Sequence, residues 1–197
     1  REEKVEVALQ LELLGVDIIE AGFPISSPGD FASVQAICDA VKEPTICALT
    51  RAKKEDIDAA VAALKTARKP RIHTGIGSSD VHIKHKFNST REEIIERGVW
   101  AVKYAKSFVE DVEFFAEDAG RADLAFLAQL TREVINAGAT VVNLPDTTGY
   151  LLPHQMHQRI SYLYEHVDNI HLATISMHNH NDLGLATANT IAGIQAG

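Results

Sequence analysis

Ile170-His-Leu-Ala-Thr-Ile-Ser-Met-His-Asn-His-Asn-Asp-Leu-Gly184 reads as a β-strand over 170–178 that runs into a polar turn carrying two histidines. Successive side chains of a strand point to opposite faces, so residues two apart share one. His178 and His180 therefore project together from the end of that strand. Two imidazoles side by side suit adjacent positions on a divalent metal ion. A zinc-protease pair sits four apart on a helix, and a structural zinc site needs further Cys or His at short spacing. Neither pattern occurs. The stretch predicts an incomplete metal site on a β-scaffold, completed by other strands, water or substrate. The competing reading is a strand-end pair that only hydrogen-bonds loop carbonyls.

The same alternation repeats along the chain. Strands are predicted over 16–22, 45–50, 71–77, 111–117, 140–147 and 170–178, with helical apolar spacing between them. Val5-Ala8-Leu9-Leu11, Ile57-Val61-Leu64, Ile94-Ile95-Val99-Val102 and Leu124-Leu127-Leu130-Val134-Ile135 are the clearest helical sets. Strand starts recur about every 30 residues, the length of a βα unit. One interval is longer, and residues 78–88 are predicted as an extended polar loop. Ser89 or Thr90 before Arg91-Glu92-Glu93 reads as a helix N-cap, and Gly15 and Gly138 as C-terminal caps.

Unbroken alternation leaves two α/β architectures, an open doubly wound sheet or a closed (β/α)8 barrel. Alternate residues give Ile18-Glu20-Gly22, Arg71-His73-Gly75, Glu113-Phe115-Glu117, Asn143-Pro145-Thr147 and Thr174-Ser176-His178-His180. A sheet buried on both faces reads as nearly continuous Val, Ile and Leu, whereas these faces carry charge toward strand C-termini. That is where barrel enzymes assemble their sites. The expectation is a partial (β/α)8 barrel of about six βα units, lacking the first and last strands. Residues 1–197 are read as one catalytic domain.

With 197 residues, 46% of them hydrophobic, the chain can bury a substantial core. A formal net charge of −8 argues against a dedicated nucleic-acid binder. No apolar run approaches the roughly 20 residues that span a bilayer. The charged N-terminal residues are not those of a signal peptide, and the lack of an initiator Met points to a trimmed chain. Cys38 and Cys47, on a predicted helix and strand, form no motif, and a reducing cytoplasmic compartment is the simplest setting.

Glu20-Ala-Gly-Phe-Pro-Ile-Ser-Ser-Pro-Gly-Asp-Phe31, Arg71-Ile-His-Thr74, Glu117-Asp-Ala-Gly-Arg121, Leu144-Pro-Asp-Thr-Thr-Gly149 and His178-Asn-His-Asn-Asp-Leu-Gly184 occur in one order. Together they resemble the catalytic barrel of the alpha-isopropylmalate/homocitrate synthase family of metal-dependent, aldolase-like enzymes. The run from Gly22 to Phe31 points to its isopropylmalate branch. The resemblance implies an acyltransferase that condenses acetyl-CoA with 2-oxoisovalerate to 2-isopropylmalate, in leucine biosynthesis. It implies a divalent ion (Mn2+, Mg2+ or Zn2+) on His178 and His180, with the other protein ligands outside this chain, and acetyl-CoA as co-substrate. It also implies a homodimer, small-molecule substrates, no nucleic-acid or membrane partner, and a C-terminal regulatory domain absent from this chain.

Further roles follow from the resemblance. Glu117 matches an active-site glutamate tied to substrate binding or proton transfer; pairing with a nearby Arg, or capping the next helix, is the alternative. His73 matches a histidine that hydrogen-bonds the 2-oxo acid, against a buried structural role. Thr147 matches a threonine that contacts the substrate carboxylate, against a turn formed by Asp146-Thr147. Glu20 and Arg71, both inward, are expected to pair with each other, and Asp182 to orient the histidine loop. The family usually has Ser where this chain has Phe115. Homocitrate or citramalate synthesis, or carbon–carbon cleavage as in hydroxymethylglutaryl-CoA lyase, are the competing activities.

Overall fold

A computed structural model describes all residues, Arg1–Gly197. Helices and strands alternate throughout: α1 (Glu2–Leu14), β1 (Ile18–Gly22), α2 (Pro28–Ala40), β2 (Thr45–Arg51), α3 (Lys54–Ala63), β3 (Pro70–Gly77), α4 (Arg91–Lys106), β4 (Asp111–Glu117), α5 (Leu124–Asn136), β5 (Val141–Asp146), α6 (Pro153–His166), β6 (Thr174–Asn179) and α7 (Ala186–Ala196). The six strands neighbour one another in chain order. A doubly wound sheet reverses its strand order at a switch point. No reversal occurs here, so the chain is a partial (β/α)8 barrel of six βα units.

Residues 1–74 and 103–113 pack as one unit, and residues 75–102 and 114–197 as another. In the first, β1 and β2 run parallel with Glu20 beside Cys47 and Ile19 beside Ile46. Ile19, Ala21, Val34, Ile37, Cys38, Ile46, Ile57 and Ala60 are buried, whereas Ile18 and Glu20 on the other face of β1 are exposed. The turn into α2 is built by Ser27-Pro28-Gly29-Asp30. Ser27 accepts the Asp30 N–H at 3.1 Å, and Asp30 accepts the Phe23 N–H at 2.6 Å. Proline fits the first helical position, where an N–H would have no partner.

In the second unit β5 is buried along its whole length, and its partner β6 is more exposed. Asn143 lies opposite Ser176 and donates to its hydroxyl at 2.9 Å, so the two alternate-residue sets do share a face. Phe126, Leu127, Leu130 and Val134 bury one stripe of α5. Thr90 and Glu93 exchange bonds at 3.3 Å each at the start of α4, a reciprocal capping box. Gly15, at φ 83°, caps α1 as expected.

Two expectations need correction. The strand predicted over 170–178 begins only at Thr174, because Ile170–Leu172 form a 3-10 turn. Asn169 anchors that turn through the Arg132 carbonyl at 3.0 Å, and Ile170 is buried. The polar loop over 78–88 contains helical residues, ending in a wide π-type turn at His82–Lys86. Both cysteines are free and buried. No helix is long and apolar enough to cross a membrane.

Candidate functional site

The end of β6 explains its own composition. Asn179 points toward α7, donating to Thr190 at 2.9 Å, and Asn181 accepts the Ala186 N–H at 3.2 Å near the helix start. The intervening His178 and His180 take the other face, with ring centroids 5.0 Å apart and ring planes at 80°. His180 Nδ1 lies 2.6 Å from the Thr147 carbonyl oxygen. A carbonyl only accepts, so Nδ1 carries the proton and Nε2 of the neutral ring holds its lone pair. That bond to a loop carbonyl is the alternative foreseen for the pair. It is equally the bond that fixes the tautomer of a metal-ligating histidine. Two exposed, adjacent imidazoles, one with its outward nitrogen set as an acceptor, fit two positions on a divalent ion. Asp182 lies over Gly149, whose missing Cβ would come 2.3 Å from its carboxylate, so it braces the loop after β5.

Thr147, just beyond β5, accepts the Asp118 N–H on its hydroxyl oxygen at 2.9 Å. Its own hydroxyl proton is left to donate. Asp146 serves the turn: its carboxylate accepts Tyr150 N–H at 3.3 Å and Leu151 N–H at 3.1 Å. Thus the turn-forming role falls to Asp146, and Thr147 retains a donor.

At the end of β4, both oxygens of Glu117 accept from the Lys86 ammonium, at 2.9 and 2.7 Å. Its cation is therefore a lysine, where an arginine was the sequence alternative. His82 stands between Glu117 and Asp118, 3.8 Å from a carboxylate oxygen of each. Asp118 is fully buried, holds φ at 65°, and accepts from Arg121 at 2.7–3.0 Å and from the Ser79 hydroxyl. The Phe115 ring packs on Gly75, where an added Cβ would meet ring carbons at 2.5 Å.

The first unit holds the remaining residues. His73 is 6% exposed; its Nδ1 lies 3.1 Å from Glu20 and its Nε2 3.8 Å from Glu113. Arg71 pairs with Asp111 at 2.8 Å and Glu113 at 3.3 Å. The expected Glu20–Arg71 pair is thus replaced: Arg71 takes carboxylates on the neighbouring β4, and Glu20 reaches His73. Cys47 lies in the same layer, and donor atoms of Glu20, Cys47 and His73 fall within 4.8 Å of one another. Burial, with Glu113 and Glu20 nearby, pushes the Cys47 thiol well above its ordinary range.

Sequence reasoning missed Cys47, Ser79, His82 and Lys86. Cys47 was reachable by strand parity, since it sits opposite Glu20. His82 and Lys86 were not, because their placement depends on a helical turn inside a segment read as loop.

The sequence profile of the HMGL-like family matches residues 1–197. The chain is 65% identical over 195 residues to the 2-isopropylmalate synthase of Parabacteroides distasonis, covering 99% of this chain and 39% of that protein. It is 53% identical to the 2-isopropylmalate synthase of Cronobacter sakazakii, covering 99% of this chain and 37% of that one. The chain thus spans about two-fifths of the length of these curated relatives. Among solved structures, hydroxymethylglutaryl-CoA lyase from Pseudomonas aeruginosa superposes with a TM-score of 0.81 at 20% identity, covering 100% of this chain and 66% of that one. At that identity the likeness is one of fold.

Proposed function

The chain belongs to the HMGL-like family, and from that membership we propose that it is part of the catalytic barrel of an acyltransferase. The reaction is condensation of acetyl-CoA with 2-oxoisovalerate to give 2-isopropylmalate, in leucine biosynthesis. Near-full-chain identity to relatives bearing that name carries the reading. Residues 1–197 then form a segment of one catalytic domain, in a cytoplasmic homodimer.

His178 and His180 would hold a divalent ion, which when bound would supply Lewis acidity toward the carbonyl oxygen of a 2-oxo acid. His180, its Nδ1 proton committed to the Thr147 carbonyl, presents Nε2 as ligand. The Thr147 hydroxyl donates to the substrate carboxylate while accepting from Asp118. His73 hydrogen-bonds the oxo-acid oxygens. Glu117, gripped by Lys86, binds substrate or takes the proton lost by the acetyl methyl group. The new bond joins that methyl carbon to C2 of the oxo acid, and water then cleaves the thioester to release the CoA thiol.

A thiol-release assay on the full-length protein tests this, offering 2-oxoisovalerate, pyruvate, 2-oxoglutarate and glyoxylate with and without a chelator. The expected result is release with 2-oxoisovalerate, lost with chelator, and loss of metal affinity in His178→Ala. Turnover of 2-oxoglutarate or pyruvate alone would move the assignment to homocitrate or citramalate synthesis. Phe115, a large ring on an inward-facing position, is the residue that would account for such a change. Chelator-insensitive turnover would remove the metal.

A further inference from the structure

Three strands of the first unit bring a carboxylate, a thiol and an imidazole to one face. Glu20 on β1 sits opposite Cys47 on β2, and His73 on β3 bonds to Glu20 at 3.1 Å. Their donor atoms all lie within 4.8 Å of one another. We propose that Glu20, Cys47 and His73 form a second cation site, for a thiophilic divalent ion of the Zn2+ or Cd2+ class. It uses neither His178 nor His180 and shares with the proposed oxo-acid site only His73, whose Nδ1 faces Glu20 and whose Nε2 is a separate nitrogen.

The chemistry of the donors selects the ion. Thiolate and imidazole ligands favour Zn2+ and its heavier congener, whereas Mg2+ and Mn2+ prefer oxygen. Zinc binds sulfur at about 2.3 Å and nitrogen or oxygen at about 2.0–2.2 Å, so tetrahedral donors stand roughly 3.3–3.8 Å apart. Glu20 and His73 already stand 3.1 Å apart, so any remaining gap, at most about 1 Å, lies toward Cys47 and takes small side-chain rotations, for which Glu20, 62% exposed, has room. Its exposure also opens the way in, while Cys47 and His73 stay buried. Glu113, 3.8 Å from His73, adds negative charge beside the site. Three protein ligands leave a fourth position for water.

A nucleophilic role for the same triad is disfavoured. The thiolate is the attacking species, and burial holds the Cys47 thiol protonated. A metal ion reverses that balance, because a coordinated thiol is deprotonated outright. Binding therefore exchanges the sulfur-bound proton for the ion: one S–metal bond forms, one proton leaves to buffer, and no electrons are transferred.

Cd2+ titration of the full-length protein, followed by thiolate-to-metal charge-transfer absorption, tests the site without turnover. Saturating Cd2+ should raise the band in the wild type, in Cys38→Ala and in a His178→Ala/His180→Ala double variant. The band should vanish in Cys47→Ala. Glu20→Gln and His73→Gln keep the thiol and should weaken binding by at least the roughly 10- to 100-fold seen when mere outer-shell partners are removed. In the His178→Ala/His180→Ala background Zn2+ should raise the thermal midpoint, and adding Cys47→Ala should abolish that rise. A wild type without the band, a band that follows Cys38, or Gln variants of wild-type affinity would overturn the site. Because absorption and melting are read without substrate, failure here is distinguishable from failure of the condensation reading.

Discussion

Asp118 offers the sharpest test of how the end of β4 is held. It is fully buried and left-handed, at φ 65° and ψ 29°. Its carboxylate accepts from Arg121 Nη2 at 2.7 Å and from the Ser79 hydroxyl, and its N–H goes to Thr147 at 2.9 Å. Arg121 is 44% exposed, so on loss of its partner it rehydrates, and the ion pair itself contributes only about 1 kcal/mol. Ser79 is fully buried, and stranding its hydroxyl costs about 1–3 kcal/mol. An alanine at φ 65° adds about 1 kcal/mol of backbone strain. Asp118→Ala should therefore destabilise by about 3–5 kcal/mol. Asp118→Gly drops the strain and should cost about 2–4 kcal/mol. Asp118→Asn keeps the shape, an acceptor and tolerance of the left-handed region, and should cost about 1 kcal/mol. Urea unfolding followed by circular dichroism gives the order directly. Equal losses for Ala and Gly would refute the backbone contribution, and an Ala variant within about 0.5 kcal/mol of wild type would refute the cluster.

Glu12 accepts the Lys42 and Glu43 N–H groups at 2.7 Å each, and these bonds, Glu43 first, hold its carboxyl below the ordinary range. A depressed folded pKa stabilises above the unfolded value and loses that stabilisation as pH falls through the folded one; Glu12→Ala should therefore melt earlier than wild type at neutral pH, with the gap closing in acid. Thr147→Val removes the proton proposed for the substrate carboxylate and should raise KM for the oxo acid about 10- to 100-fold, with Thr147→Ser restoring it; an unchanged KM in steady-state kinetics would leave Thr147 a purely structural partner of Asp118. Gly75→Ala drives a Cβ to 2.2 Å from the Phe115 carbonyl and 2.5 Å from its ring. Overpacking of this kind costs about 1–3 kcal/mol, and in a double-mutant cycle Phe115→Ser should recover only the ring's share.

Strand parity made much of the site legible before any coordinates. Arg71, His73 and Glu113 were placed inward by alternation, and all three are buried and linked to one another. Parity does not choose partners, however. Arg71 on β3 adjoins β4, which carries both Asp111 and Glu113, whereas Glu20 sits on β1, two strands away. β6 begins later than its apolar pattern suggests because Ile170, apolar and buried, suits a 3-10 turn as well as a strand. Sequential strand order, not composition, is what decides between barrel and doubly wound sheet. Composition had indicated only that one face of each strand was polar near its end.

The long interval after β3 carries the part of the site that no periodicity reveals. Gly77 closes β3, and a Cβ there would stand 2.6 Å from His82 Nδ1 and 2.9 Å from the Phe87 ring. Glycine thus lets the following turn lie directly on the strand end. Ser79 accepts the His82 N–H at 3.3 Å and donates to Asp118, which ties the start of that turn to the end of β4. The wide turn at His82–Lys86 then brings the Lys86 ammonium onto Glu117. Wide turns of this type recur at functional sites because they redirect side chains that a regular helix would aim elsewhere. The position of Glu117 is therefore inherited from Gly77 and Ser79 as much as from β4. A substitution at Gly77 should disturb Glu117 chemistry before it disturbs the strand, since the clash falls on His82 and Phe87 rather than on the sheet.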